Sequence, residues 1–489
     1  MYHPPSKQKL LLRRIAVYGL MSISVVGLVA ALVLVMLGYQ FNRNDGKIEQ
    51  GGLVQFDTMP GGANVTIDGA NFGTQTPSKT TLSSGSHFVT MNRSGYKTWQ
   101  KPIDVVAGSV LWLNYARLIP NDLTPKNVAD FATVSSSVSS PDDKWMALKD
   151  DPTTPTIFLT NLGQQEIKVA TLTLPEASYT KPAKAKNQSF TLVAFDPDSR
   201  YVLVKHTYDK SKSEWLVVDT QNPSATKNIT TLLDVATEAV VFSNDNSRIL
   251  YALINDDVRK LDIDSATLSR PLVRDVAEFG LYDRSTITYV TKPDEKTKLR
   301  SVGYYTDGAA KSRTIKTYPA DAKASLRLAI GKYFNDAYVA IAHGDTLEIF
   351  EGDLPYSDNE GTSALDTVAS LTIPGGADYL SIKTNGRFIV AQHGATFTVY
   401  DLELKKMTTT KLKDGAVAGE LPWLDGYTVL GDQGGMLRLY EFDGANQQEI
   451  MPVVSGQSVT LSPSDKYIYG ITKEKNAYHL TRAQLILDN

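Results

Sequence analysis

Two of the six histidines stand at matching places in neighbouring segments of the chain, His343 in AHGDT and His393 in QHGAT. Asp345 follows the first, and Asp432 in GDQGG occupies the same place one segment later. Such side chains could bind a polar ligand if their turns meet around one opening. These four residues are the candidate ligand-binding set; no metal site or cofactor is predicted. The alternative is a row of solvated hairpins in which glycine sets each turn and the histidines have no binding role. This alternative is favoured, because short motifs found in a single sequence are often false positives.

The rest of the sequence excludes several classes of chemistry. It contains no G-x-S-x-G elbow, H-E-x-x-H pair, P-loop, dinucleotide fingerprint or EF-hand loop. It has no cysteine, which removes disulfides, zinc thiolate sites and cysteine nucleophiles. The formal net charge of −3 lacks the basic surplus that nucleic-acid binding usually requires, so no nucleic-acid partner is expected.

A long apolar segment precedes all of these residues. Residues 15–39 contain no charged side chain, and as a helix their 25 residues exceed the roughly 30 Å thickness of a hydrocarbon core. Four lysines and arginines lie within 1–14, against two within 40–50. The positive-inside rule then predicts a cytoplasmic tail at 1–14, a single transmembrane helix at 15–39 and everything beyond outside the cell membrane. A cleaved signal peptide fits less well, because its apolar region is only about 7–15 residues long.

Two further regions follow the apolar segment. Residues 40–50 are polar and are predicted to form a short stalk that reaches at most about 35–40 Å. Within 51–120, Val65 and Ile67 alternate with polar residues, and Asp68-Gly69 closes that strand because glycine accepts positive φ. The succession of short strands and turns predicts a small β-sandwich of about 70 residues.

This segment resembles the PEGA domain, a small extracytoplasmic β module of bacterial and archaeal envelope proteins. The residues that carry the resemblance are Pro60-Gly61-Gly62-Ala63, Val65, Ile67, Asp68-Gly69, Thr76-Pro77, Leu82, Gly85, His87, Val89, Gly95-Tyr96, Trp99, Leu111 and Leu113. Gly61 stands where the family motif has glutamate, at a turn position. The resemblance implies a cell-envelope module placed beside a membrane anchor, and it supplies no catalytic residues.

Residues 121–489 contain a repeat in which an apolar strand, a polar turn and a second apolar strand follow one another. It occurs eight times, at SSPDDKWMAL, AFDPDSRYVLV, VFSNDNSRILYAL, GLYDRSTITYV, GKYFNDAYVAI, IKTNGRFIVA, LPWLDGYTVL and LSPSDKYIYGI. Four strands in each repeat of about 40–55 residues predict an all-β propeller of about eight blades. A count of seven stays open if the weakest repeat, at 280, folds differently. The aspartates at the polar turns are interpreted as turn formers, not as catalytic groups.

The last repeat lacks a fourth strand before the chain ends, whereas residues 127–134 precede the first repeat and belong to no complete blade. We therefore predict that 127–134 supplies the outer strand of the last blade and closes the ring.

Together these patterns predict a membrane-tethered binding or scaffold protein of the cell envelope. Its partners would be the membrane, through the N-terminal helix, and an envelope protein or polysaccharide, through the propeller. The alternative is an exported hydrolase or lyase acting on envelope or extracellular glycans, since propellers serve both roles. Enzymatic activity is the less favoured of the two, because the sequence shows no clear set of catalytic carboxylates.

Overall fold

A computed structural model of the chain describes residues 7–36, 38–42, 47–184, 187–321, 324–355, 364–383, 385–413, 415 and 419–488. The chain divides into two compact units, Met1–Asp122 and Leu123–Asn489.

The first unit begins with helix α1, Lys7–Met36. Its segment Leu11–Met36 is long and apolar enough to cross a membrane, with a mean hydropathy of 2.5, and none of it is covered by other described parts of the chain. Among the described residues it is the one helix that meets this requirement. Residues 1–6 of the predicted cytoplasmic tail lie outside the described residues.

The segment after α1, for which the sequence predicted only a maximum reach, contains a hairpin. Strand β1, Tyr39–Asn42, pairs antiparallel with β2, Lys47–Gln50; residues 43–46 lie outside the described part. The hairpin is closed at its base, because Gly51 N donates to Gly38 O at 2.9 Å. The chain therefore returns to the end of α1 before the next domain begins.

That domain is the predicted β-sandwich. Its seven strands are β3 Gly52–Met59, β4 Asn64–Ile67, β5 Ala70–Gln75, β6 Ser78–Leu82, β7 Gly85–Asn92, β8 Trp99–Val105 and β9 Val110–Arg117. They form two sheets, in the orders β5-β4-β7-β8 and β6-β3-β9. Alternate residues of β8 and β9 are buried, as a sheet with one covered face requires.

The turn residues singled out in the sequence hold the sandwich together. Thr76 Oγ1 lies 2.6 Å from Thr58 Oγ1 and accepts from Ala63 N at 3.0 Å, which fixes the glycine-rich entry to β4. At the Asp-Gly turn, Asp68 accepts from Phe88 N at 2.8 Å and contacts His87 Nδ1 at 2.7 Å. These contacts explain why the Thr-Pro and Asp-Gly pairs occur at these turns.

The second unit is built from eight antiparallel sheets, here called blades 1 to 8. Blades 1 to 6 contain four strands each. Blade 1 has β11 Ser136–Ser139, β12 Trp145–Lys149, β13 Thr156–Asn161 and β14 Val169–Thr173; blade 2 has β15 Gln188–Phe195, β16 Tyr201–Tyr208, β17 Lys212–Asp219 and β18 Lys227–Asn228; blade 3 has β19 Ala239–Phe242, β20 Ile249–Ile254, β21 Asp257–Asp262 and β22 Thr267–Leu268. Blade 4 has β23 Val276–Leu281, β24 Thr286–Thr291, β25 Leu299–Thr306 and β26 Arg313–Pro319; blade 5 has β27 Leu326–Tyr333, β28 Asp336–His343, β29 Thr346–Gly352 and β30 Leu365–Thr372; blade 6 has β31 Tyr379–Ile382, β32 Phe388–His393, β33 Thr396–Asp401 and β34 Lys406–Lys411. Blade 2 is followed by helix α2, Ile229–Leu233, and short 3-10 turns lie at Glu176–Ser178, Pro223–Ala225 and Gln433–Gly435. The repeat at 280 is a complete blade, so a count of seven is excluded.

Blade 7 is the irregular member of the ring. It contains β35 Thr428–Gly431, β36 Met436–Glu441 and β37 Gln448–Pro452. Its innermost segment is joined to β35 only by an isolated bridge from Trp423 to Val429 and by two backbone hydrogen bonds beside it. Pro422 has no N–H to donate, which accounts for the interrupted ladder.

Blade 8 closes the ring as predicted. It consists of β38 Thr460–Leu461, β39 Tyr467–Glu474, β40 Ala477–Gln484 and, as its outer strand, β10 Lys126–Phe131. Strand β10 pairs antiparallel with β40, with Asp130 opposite His479. Phe131 and Leu480 then share an apolar cluster with Met146 of blade 1. The strand is a little shorter than the predicted 127–134.

The aspartates at the first turn of the blades are turn formers, as interpreted from the sequence. Asp283 accepts from the backbone N–H groups of Ser285 and Thr286, and Asp425 accepts in the same way from Tyr427 and Thr428. Apolar clusters fill the spaces between neighbouring blades. The core of the propeller is therefore divided among its blade interfaces, and the polar turns lie at the ends of the strands.

Candidate functional site

The innermost strands of the propeller line its central channel, and the channel contains a large cavity. The cavity measures about 1020 Å³ and is bounded by the inner segments of blades 7, 8, 1 and 2. Its wall includes Ser137, Ser139, Asp143, Phe195, Trp423, Asp432, Gln433, Gln457, Ser458 and Thr460. The lining thus combines hydroxyl and amide groups with two aromatic rings and three carboxylates, those of Asp143, Glu420 and Asp432.

Several of these hydroxyls also join blade 8 to blade 1. Ser137 Oγ donates to Gln457 Oε1 at 2.9 Å, Ser458 Oγ donates to Ser139 Oγ at 3.0 Å, and Thr460 Oγ1 contacts Asp143. The seam of the ring therefore doubles as one wall of the cavity, and its rigidity does not depend on a ligand.

Trp423 forms the wall on the side of blade 7. Its ring lies 6.2 Å from that of Phe388, and Lys383 Nζ is 5.3 Å from its centroid. Its Nε1 is buried and has no hydrogen-bond partner among the described residues. An aromatic ring at a polar cavity offers a stacking surface, which marks this wall as a candidate contact for a ligand.

A second, smaller cavity of about 270 Å³ lies between the inner strands of blades 4, 5 and 6, and it adjoins the first cavity at Glu420, which lines both. Two carboxylates line it, Glu278 on β23 of blade 4 and Glu420 at the entry to blade 7. Their side chains remain 49% and 48% exposed, so both are reached by solvent in the channel. Arg327 lies 3.4 Å from Glu278, and Lys383 lies 2.7 Å from Glu420.

The two carboxylates differ in their protonation tendency. Burial raises the pKa of Glu278, and the charges of Arg327 and Arg300 only partly offset that effect. Burial also acts to raise the pKa of Glu420, but the charge and hydrogen bond of Lys383 outweigh it, so the pKa is lowered. The pKa values of these two carboxyl groups are therefore shifted in opposite directions, which is one of the features that acid and base roles require.

The candidate residues taken from the sequence lie in the tight turns between the second and third strands. Because strands alternate in direction, these turns share one face of the ring with the linkers between blades. We call it the linker face. His343 ends β28, and its ring lies 4.6 Å from that of Tyr318. Its Nε2 is buried without a hydrogen-bond partner among the described residues.

His393 and Asp345 contact the linker between blades 5 and 6. Ile373 N donates to Asp345 O at 2.8 Å, while His393 Nδ1 lies 3.2 Å from Asp378 Oδ2. A Cβ at Gly375 would come within 2.6 Å of the His393 ring. The linker therefore brings the His343–Asp345 turn and the His393 turn together.

Asp432 contacts a different linker. Its Oδ2 accepts from Gly456 N at 2.6 Å, and its backbone O accepts from Ser455 Oγ at 2.6 Å. Asp432 lines the 1020 Å³ cavity. The other three candidates, His343, Asp345 and His393, are not among the described residues that line either channel cavity. Within the described residues, no group of three or more His, Asp or Glu side chains is placed to hold a metal ion.

Sequence reasoning missed Trp423, Glu278 and Glu420. A signal was present, since each lies in or next to an innermost segment, where a side chain that leaves the blade interface faces the channel. The sequence could not show which side chains of these segments face the channel, because the residues around Glu278 and around Glu420–Trp423 do not alternate regularly between polar and apolar.

Comparison with known proteins identifies the small domain. Residues 52–118 match the family model of the PEGA domain. The matched range contains the turns and strands of the β-sandwich described above. No curated protein sequence is similar enough to count as a relative of the chain.

Solved structures resemble the chain only weakly. They include a eukaryotic initiation factor at 13% identity, covering 69% of this chain and 93% of that one, with a TM-score of 0.39. An oligogalacturonate lyase in complex with manganese has 12% identity, coverage of 75% and 98%, and a TM-score of 0.38. The tricorn protease has 12% identity, coverage of 74% and 38%, and a TM-score of 0.39. At such scores the likenesses carry no information about activity. The chain thus contains a PEGA domain at 52–118, preceded by an apolar helix long enough to span a membrane and followed by a closed eight-bladed β-propeller.

Proposed function

We propose that the protein is a membrane-tethered binding or scaffold protein of the cell envelope. Helix α1 anchors it in the cell membrane, the PEGA domain acts as a module beside the membrane, and the propeller binds an envelope protein or polysaccharide outside the cell. The channel cavity is the proposed binding site, with Trp423 and Asp432 in its wall.

The observation that carries this proposal is the composition of the 1020 Å³ cavity. Ligand sites commonly measure about 300–1,000 Å³ and combine aromatic surface with a few placed polar groups. Here Trp423 supplies aromatic surface, while serine, threonine and glutamine side chains supply hydrogen-bonding groups. Asp143, Glu420 and Asp432 add carboxylates to the same lining. The lining therefore favours a hydroxyl- or amide-rich ligand without negative charge, such as a neutral glycan or a peptide loop.

The proposed topology rests on the charge asymmetry around α1 and is tested separately. Protease added to intact, wall-stripped cells should digest the propeller and leave a membrane-bound fragment. Survival of the propeller until the cells are lysed would contradict the orientation.

Binding is tested on the full chain in detergent micelles, screened against envelope glycans and envelope protein extracts. Trp423→Ala should weaken every genuine hit by about tenfold or more, the loss expected for an aromatic anchor worth at least about 1.4 kcal/mol. Phe334→Ala is the matched control, because Phe334 is 81% exposed in the turn between β27 and β28, on the face opposite the linkers. Equal losses in both variants, or none in Trp423→Ala, would contradict the site.

A second candidate function, a glycan hydrolase or lyase, is favoured by the two carboxylates of the smaller cavity. Glu278, with its raised pKa, would donate a proton, and Glu420, with its lowered pKa, would act as base or nucleophile. Glycan degradation by the full chain should then be abolished by Glu278→Gln and by Glu420→Gln, each of which keeps the side-chain shape. Degradation that persists in both variants, or its absence from the parent protein, would remove this candidate.

A further inference from the structure

The end of helix α1 and one corner of the PEGA domain are joined by a short chain of hydrogen bonds. Val35 O accepts from Gly38 N at 3.0 Å, Gly38 O accepts from Gly51 N at 2.9 Å, and Gly51 O accepts from Gly108 N at 2.9 Å. The turn between β8 and β9 therefore lies beside the point where the helix ends. The hairpin β1–β2 removes the slack that an extended stalk would have provided.

Apolar side chains are exposed at this same corner. Val106 in the turn is 64% exposed, and Val110 and Trp112 on β9 are 43% and 42% exposed. The alternate residues Leu111 and Leu113 point into the sandwich and are buried. We call Val106, Val110 and Trp112 the outer ridge, because each is more than two fifths exposed on the outer side of the domain.

The length of the helix places this ridge at the membrane surface. From Ile15, directly after the cationic flank, to Met36 the helix rises about 33 Å, close to the roughly 30 Å of a hydrocarbon core. Gly38 then lies in the headgroup layer, which is about 5–8 Å thick on each side. Val106 and Val110 lie near that level, since Val110 is paired with Leu53 at the start of β3, and Trp112 is about 7 Å farther along its strand.

We propose that the outer ridge rests in the headgroup layer of the outer leaflet, so that the PEGA domain is held against the lipid surface. Tryptophan and aliphatic side chains are the groups expected at that depth, because an indole combines apolar surface with a polar N–H. The contact fixes the tilt of the sandwich on the membrane. This inference depends on the membrane tethering proposed above.

The test uses the absence of cysteine, which allows single-site labelling of the otherwise unchanged full chain. Ala107→Cys places a spin label in the ridge turn, and Ser94→Cys places one in the turn at the other end of β8, about 20 Å away along the strand. Both proteins are reconstituted in phosphatidylcholine nanodiscs. We expect the label at 107 to be accessible to oxygen and several-fold less accessible to a water-soluble nickel chelate than the label at 94.

A third protein combines Ala107→Cys with Val106→Ser and Trp112→Gln. If the ridge makes the contact, its label should become as accessible to the nickel chelate as the label at 94. An unchanged value would overturn the role of the ridge. Equal nickel accessibility at 107 and 94, with the protein still resistant to alkaline carbonate extraction, would overturn the surface contact while leaving the tethering intact. Extraction of the protein by carbonate would instead contradict the tethering itself, and the ridge contact with it.

Discussion

Blades 2 and 7 differ in how two of their buried polar clusters are paired, the one around Glu214 and the one around Trp423. In blade 2, His206 and Glu214 are both buried, and the His206 Nδ1–H donates to Glu214 Oε1 at 2.7 Å. Glu214 also accepts from Thr180 and Asn228, which ties the linker before the blade to its outer strand. Blade 7 has an interrupted inner segment, and the buried indole N–H of Trp423 has no partner in the described chain.

The two tryptophans make the contrast concrete. Trp215 Nε1 in blade 2 donates to Thr237 O at 3.2 Å, whereas Trp423 Nε1 in blade 7 donates to no described residue. Polar groups that are fully paired inside a blade stabilise the fold, and their loss should reduce stability. Groups left incompletely paired beside a cavity add little stability, so they are better candidates for binding.

Removal of strand β10 from the ring should have the largest effect. If an irregular blade such as blade 7 is tolerated, blade 8 could also be expected to survive without β10. We expect otherwise, because the loss of β10 exposes the edge of β40 and removes the buried Phe131, which alone is worth about 3–5 kcal/mol. A chain beginning at Leu123 should fold, and one beginning at Ser135 should aggregate. Equal thermal unfolding of the two would show that the seam is dispensable.

Glu214→Gln should produce the next largest effect. Burial raises the pKa of Glu214, but the hydrogen bonds from His206, Thr180 and Asn228 outweigh it and lower the pKa to about 2. The carboxylate therefore stabilises the fold above its unfolded pKa near 4.5, by about 3 kcal/mol at neutral pH, and that contribution is lost as the pH falls from about 4.5 to about 2.

The check is urea unfolding of both proteins between pH 7 and pH 3. Glu214→Gln should be less stable at pH 7 and should lose less stability on acidification than the parent. Glu166→Gln is the control on an exposed side chain in the turn between β13 and β14 and should leave both quantities unchanged. A parallel pH dependence in parent and Glu214→Gln would refute the role given to the pair.

Substitution of the two tryptophans should have a smaller effect on stability, and a different one at each position. Trp215→Phe breaks a hydrogen bond and leaves the carbonyl of Thr237 unpaired, which should cost about 1–2 kcal/mol more than Trp423→Phe, where no such bond exists. Chemical unfolding of the two variants measures the difference. Equal losses would mean that the Trp423 N–H is as well satisfied as that of Trp215.

Much of the fold could be predicted from the sequence because it depends on local patterns. The Asp-Gly turn of the PEGA domain, the repeated strand–turn–strand segments and the unpaired segment before the first blade all follow from turn chemistry and strand period. The stalk could not be predicted in the same way. Its hairpin depends on backbone bonds from Gly38 to Gly51 that leave no mark on composition.

The candidate site was harder to predict for a geometric reason. The repeat identifies corresponding turns, so His343, His393 and Asp432 could be aligned, but it does not give their distance from the ring axis. The structure places the two histidine turns against one linker and Asp432 at the channel cavity. Trp423 was visible in the LPWLDGYTVL repeat, yet its exposure to the channel follows from the break at Pro422.

We propose that ligands bind in the channel and not at the histidine turns. The most direct measurement compares the affinity of one identified envelope glycan or protein for three forms of the full chain: the parent, Trp423→Ala/Asp432→Asn, and His343→Ala/His393→Ala, each checked for an unchanged melting temperature. We expect the channel variant to bind about tenfold or more weakly, and the histidine variant to bind like the parent. Full binding by the channel variant, together with loss of binding in the histidine variant, would contradict this proposal and assign the site to the turns of the linker face.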